Sequence, residues 1–115
     1  MSDLANLRDQ LRQFAAAREW DQFHSPKNLS MALAAEAAEV LEHFQWLTEA
    51  QSASLDPKVR AEVTEEIADV LLYLVRLADK LGIDPVEAAR AKMVVNEKKY
   101  PAEKARGNAR KYTDL

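Results

Sequence analysis

A chain of 115 residues with 48% hydrophobic and 30% charged side chains has the size and balance of one globular domain with a small core. Its net charge of -3 argues against a protein that coats polymeric nucleic acid, which needs an excess of cations. The absence of cysteine excludes disulfides and thiolate metal sites, and no apolar run reaches membrane-spanning length. A cytoplasmic protein is the default expectation.

The first helix is predicted over about residues 3–20. It leads into a polar-aromatic connection, Glu19-Trp-Asp-Gln-Phe-His-Ser-Pro-Lys-Asn28. Trp20 can stack on a nucleobase, and Gln22 or His24 can hydrogen-bond its edge. Both tryptophans, Trp20 and Trp46, would serve equally well as packing anchors at helix ends.

Three later helices each open on a potential cap followed by proline: Ser25-Pro26, Asp56-Pro57 and Asp84-Pro85. Proline suits the first helical position because its missing N–H has no intrahelical acceptor there. These signals predict helices over about 26–47, 57–81 and 85–99. Asp84-Pro-Val-Glu87 also fits the capping-box pattern. Gly82 stops the third helix and Pro101 ends the fourth. Residues 48–56 read as a polar connection and 101–115 as an irregular tail. With no convincing strand, the expected fold is all-α, a four-helix-bundle-like unit forming a single domain over 1–115.

The second and third helices carry acids where apolar residues belong. Leu29, Leu33, Val40, Phe44 and Leu47 form one stripe at 100° per residue, and Glu36 falls in its middle. Val59, Val63, Val70 and Leu77 form another, with Glu66 among them and Asp69 one turn later. The pairs Glu36-Ala-Ala-Glu39 and Glu66-Ile-Ala-Asp69 are therefore expected to face inward. Four converging carboxylates need cationic partners or a metal. An all-oxygen site suits Mg²⁺, which commonly binds carboxylates together with substrate phosphates. Tyr73 follows Asp69 by four residues and could extend such a pocket, or be an ordinary core tyrosine.

The third helix also places Ile67, Leu71, Leu72, Leu74, Val75 and Leu77 nearly all round its middle. One small unit has little bulk to cover such a helix, so homo-oligomerisation is expected. On the fourth helix Lys92, Asn96 and Lys99 share a stripe, plausible for phosphate oxygens or simply solvated. Seven of the basic residues lie between Lys92 and Lys111, against only Glu97 and Glu103. That local excess would favour a small polyanion near a metal. Neither histidine belongs to a Glu-x-x-His motif, and no phosphate-binding glycine loop occurs.

The two acidic pairs on successive helices resemble the signature of the MazG-like all-α NTP pyrophosphohydrolases. Trp20-Asp-Gln-Phe-His24, Phe44-Gln-Trp46, Asp69-Val-Leu-x-Tyr73, Lys92-Met, Asn96, Tyr100-Pro101 and Lys111-Tyr-Thr-Asp-Leu115 are similar to the dCTP pyrophosphatase branch. The resemblance implies that Glu36, Glu39, Glu66 and Asp69 bind Mg²⁺. It implies that Trp20, Asp21, Gln22, Phe23, His24, Trp46 and Tyr73 contact the nucleotide, with Lys92 and Asn96 at its phosphate end. Leu11 stands where vertebrate-type members have a histidine, implying a more apolar pocket. The implied reaction is hydrolysis of dCTP or a modified dCTP to monophosphate and pyrophosphate, by a homo-oligomer assembled as a dimer of dimers. The alternatives are another base preference within the superfamily, or a non-catalytic helical module whose acids pair with residues such as Lys92 and Lys99.

Overall fold

The computed structural model describes residues 2–115, and all regular structure among them is helical. The order is α1 (Asp3–Ala17), α2 (Pro26–Glu42), α3 (Glu49–Ser52), α4 (Pro57–Lys80), α5 (Pro85–Lys99) and α6 (Ala102–Ala105), followed by a 3₁₀ turn at Tyr112–Asp114. The chain divides into two compact units that meet in sequence at Gly82 and Ile83. No described helix is long and apolar enough to cross a membrane.

The proline signals mark three helix starts to the residue. Ser25 accepts from the Asn28 N–H, Asp56 from Val59 and Asp84 from both Val86 and Glu87, satisfying donors that a first turn leaves free. The complete capping box lies elsewhere: Thr48 and Gln51 cap each other reciprocally and start α3 within the expected polar connection. In the tail, α6 and the 3₁₀ turn replace an irregular segment.

Two helices stop earlier than expected from the sequence. Helix α2 ends at Glu42, so Phe44–Leu47 form turns that carry Trp46. Helix α1 ends at Ala17 with a Schellman motif. The Trp20 N–H bonds the Ala15 carbonyl at 2.9 Å, and the Glu19 N–H bonds Ala16 at 3.1 Å. That geometry needs a left-handed residue, usually glycine, yet here it is Glu19 at φ 55°. The motif brings the Trp20 backbone back to Ala15, which is buried.

In the first unit, α4 packs against both α1 and α2. Leu29, Ala15, Val63, Val75 and Ala78 form the buried apolar core. Helix α4 leaves Ile67, Leu71 and Leu74 exposed on another face, at i, i+4 and i+7. In the second unit, Tyr100 and Tyr112 meet edge to face at 6.0 Å. The Lys99 ammonium stands 4.7 Å from the centre of the Tyr112 ring.

Helix α4 ends as expected. Leu81 is its cap and Gly82 follows at φ 68°, a conformation that costs an L-side chain about 1–2 kcal/mol. A Cβ added at Gly82 would meet no atom within 4 Å, so the cost of substitution lies in the backbone alone. Gly82→Ala should lower unfolding stability by about 1 kcal/mol, and Gly82→Asn by clearly less, because asparagine tolerates the left-handed region. Urea denaturation of the two variants side by side checks the difference.

Candidate functional site

The seam between α2 and α4 brings three of the four predicted acids together. Glu36, Glu39 and Glu66 each offer a carboxylate oxygen, all within 4.8 Å of one another. Glu36 and Glu66 are half-buried, while Glu39 is exposed rather than inward-facing as its spacing suggested. It is the most exposed of the three. One oxygen of Glu36 and one of Glu66 are fully buried with no hydrogen-bond partner. Buried anionic oxygens without partners are costly, and a cation bound at the group would satisfy both. The donors are all oxygen, the set that hard divalent ions prefer.

The crowding raises the proton affinity of the site. Glu66 is pushed up to about 6, first by hydrogen bonding to Glu39, then by burial and the charges of Glu39 and Glu36. Glu36 moves in the same direction, with burial first and then Glu39 and Asp69. His43 at the C-cap of α2 stands between two acids of α4, 3.8 Å from Glu62 and 3.9 Å from Glu66. Sequence reasoning did not assign it a role.

Asp69 stands apart from the three-acid group but within reach of its charge. It faces a cavity of about 140 Å³. Helix α1 contributes Leu11, Phe14 and Ala15 to the lining, and the following turn contributes Trp20 and His24. Helix α4 adds Asp69, Leu72, Tyr73 and Arg76, whose spacing of i, i+3, i+4 and i+7 is one helical face. Asp69 thus belongs both to the acidic region and to a mostly apolar cavity.

Of the other sequence candidates, Trp20, His24 and Tyr73 line this cavity. Trp20 meets the Phe14 ring edge-on at 5.7 Å and lies 6.1 Å from the His24 ring. Asp21 turns to an ion pair with Arg76 and to Lys80 at 3.0 Å. Those partners, Lys80 first, hold its carboxyl below the usual range. Gln22 donates to the Glu19 carbonyl and Phe23 is exposed. Trp46 stands outside the cavity, 86% exposed. Lys92 and Asn96 lie on α5 in the second unit, Lys92 exposed and Asn96 half-buried.

The residue missed entirely is Arg76, only 5% exposed. Its Nε–H donates to His24 Nδ1 at 3.1 Å and its Nη2 to Asp21. Asp79, 3.7 Å from Nη1, also takes a 2.7 Å hydrogen bond from Arg12. Extending the helical face from Asp69 and Tyr73 by three residues would have reached it.

The MazG-like family matches residues 31–115. The chain is 45% identical to dCTP pyrophosphatase 1 of Rattus norvegicus over 114 residues, covering 97% of this chain and 67% of that protein. Identity to dCTP pyrophosphatase 1 of Homo sapiens is 44% with the same coverage. Among solved structures, a pyrophosphatase from Archaeoglobus fulgidus superposes with a TM-score of 0.82 at 43% identity. That match covers 88% of this chain and 94% of the other.

The raised acids link ion binding to pH. Glu66 titrates at about 6 against an ordinary value of 4.5, so near neutrality it is charged, and below 6 an ion must displace its proton. Apparent affinity for a divalent cation should fall about tenfold between pH 7 and pH 5 for the one proton released. The ion-free fold should respond in the opposite sense. Its native state holds this proton more tightly than the unfolded chain, so the Glu66 contribution stabilises at low pH and is lost as pH rises through about 6. Calorimetric titration at the two pH values, with parallel melts of ion-free protein, measures both.

Proposed function

This chain belongs to the MazG-like family, and we propose that it hydrolyses a deoxynucleoside triphosphate, dCTP or a modified dCTP, to the monophosphate and pyrophosphate with Mg²⁺. The observation that carries this reading is the pair of buried, unpartnered oxygens on Glu36 and Glu66, set against Glu39 and beside a base-sized cavity reached by Asp69. A purely structural helical seam gains nothing from such a group. A site for a cation and a polyphosphate does.

Glu36, Glu39 and Glu66 would hold the ion, and the family resemblance adds Asp69 to them. Mg²⁺ bound there would neutralise charge on the phosphate oxygens and make the α-phosphorus more electrophilic. Water attacks that phosphorus and gives up a proton to a neighbouring carboxylate or to solvent, the bond from phosphorus to the bridging oxygen breaks, and pyrophosphate leaves. The chain's own contribution is to place and shelter the nucleotide. Trp20 and Tyr73 offer aromatic surface to a base, while Leu11, Phe14 and Leu72 exclude water around it. An indole as exposed as Trp46 offers a further face for stacking. The phosphate-end roles of Lys92 and Asn96 belong to the same reading and rest on the family resemblance.

A homo-oligomer, as a dimer of dimers, is part of this proposal. The exposed Ile67, Leu71 and Leu74 on one face of α4 support it, since a second copy could bury them. A cytoplasmic location goes with a role in cleaning nucleotide pools.

Two measurements test the reaction. Glu36→Gln, Glu39→Gln, Glu66→Gln and Asp69→Asn should each lower kcat/KM on the order of 10²-fold or more, the scale of removing a principal electrostatic contributor. The ion-free variants at Glu36 and Glu66 should melt no lower than the parent, since each loses a buried charge at nearly constant volume. Wild-type turnover in all four would remove the metal-site assignment. Hydrolysis of a triphosphate panel in ¹⁸O-water should place label in the monophosphate; label confined to orthophosphate would reject attack at the α-phosphorus.

A further inference from the structure

Arg76 directs its Nη2 to the Asp21 carboxylate and its Nη1 toward Asp79, leaving Nε–H for His24 Nδ1 at 3.1 Å. That last contact has a chemical direction. A guanidinium only donates and does not lose its proton, so Nδ1 must present a lone pair. The imidazole is then neutral and its single proton sits on Nε2. The surroundings agree with a neutral ring: burial, then the Arg76 charge, lower its proton affinity, Lys80 adds to this and Asp21 opposes it.

Nε2 has no hydrogen-bond partner among the described residues, and it is not sealed from solvent as the orphaned Glu36 and Glu66 oxygens are. The ring itself lines the cavity beside Trp20. Nε2–H is therefore a donor of fixed sense on a residue that lines an otherwise largely apolar cavity. A base presenting an amino group or a ring N–H there would oppose donor to donor. One presenting a carbonyl oxygen or an unprotonated ring nitrogen would pair.

We propose that Arg76 is a positioning residue that fixes His24 as its Nε2–H tautomer, so that the cavity reads a hydrogen-bond acceptor on the edge of the bound base. For cytosine that acceptor is N3 or O2. The tautomer stands on the geometry alone, whereas the base-reading role rests on the nucleotide reading above. Arg76 touches no reacting atom in this scheme and acts only through the imidazole.

The two parts are tested separately on the intact chain. Long-range ¹H–¹⁵N correlation of the wild-type protein without nucleotide should show His24 Nδ1 unprotonated and Nε2 carrying the proton. An Nδ1–H ring or an imidazolium near neutral pH overturns the lock. Turnover of dCTP is then compared with 3-deaza-dCTP and 2-thio-dCTP, which remove or weaken the two acceptors. At least one analogue should lose about tenfold in kcat/KM, the scale of one hydrogen bond, mainly through KM. His24→Ala should erase that discrimination. Arg76→Met should weaken it and move the His24 nitrogen shifts, and Arg76→Gln, which keeps a neutral donor, should restore both in part. If Arg76→Met does not fold, the wild-type spectrum and His24→Ala still decide the matter. Equal turnover of all three substrates, or discrimination that survives in His24→Ala, overturns base reading. A chain that hydrolyses no nucleotide removes the nucleotide reading and the base-reading role together, while the spectrum still decides the tautomer.

Discussion

Like charges drawn together across the seam between α2 and α4 are the constraint around which the first unit is arranged. Glu36, Glu39 and Glu66 lie close enough to raise the proton affinity of the two more buried members. Nothing in the acids themselves would hold them there. The apolar residues that flank them do: Leu29 on α2 is 2% exposed, and Val63 and Val75 on α4 are buried. Hydrophobic packing on both sides holds a group of anions that would otherwise separate, and a bound cation would turn that repulsion into attraction. Stability and ion binding are thus coupled through the same two helices.

A second electrostatic arrangement lies further along α4 and has the opposite character. Arg76 is buried but satisfied, with acceptors on the turn after α1 and on α4 itself. Arg12 of α1 binds Asp79 of α4 through two nitrogens, and Asp79 is held below the usual carboxyl range, chiefly by that partner. These links tie α1, the Trp20–His24 turn and α4 into one framework around the cavity. Helix α4 therefore contributes Glu66 to a group of crowded anions and, further along, a cationic residue that is fully paired, with Asp69 between them. The first is suited to bind and the second to hold shape.

Much of this was legible in the sequence because helices announce themselves through local chemistry. The serine-proline and aspartate-proline pairs set three helix starts correctly, and the 3.6-residue period put Glu36 and Glu66 among apolar neighbours. The exposure of Glu39 was not legible, since periodicity gives an angle on a helix and not the reach of the neighbouring one. The early ends of α1 and α2 were hidden for a related reason. A Schellman motif normally shows itself by glycine, and Glu19 gives no such signal. Arg76 was missed because charge on a mostly apolar helix reads as solvated until its partners, 52 and 55 residues away in sequence, are known. Trp46 looked like a helix-closing residue and instead stands on a turn.

Glu19 also has a consequence for how this chain can change. A left-handed glutamate costs about 1–2 kcal/mol relative to an ordinary conformation, and the turn it makes delivers Trp20 to the cavity wall. Glycine there would ease the torsion but would also widen the choices open to the unfolded chain, so the two effects partly cancel. Position 19 is consequently a place where sequence can drift among glutamate, asparagine and glycine at small net cost. A β-branched residue would strain the turn far more. Substitution there would reach the cavity through the backbone alone, shifting the Trp20 ring without replacing any residue that lines the pocket.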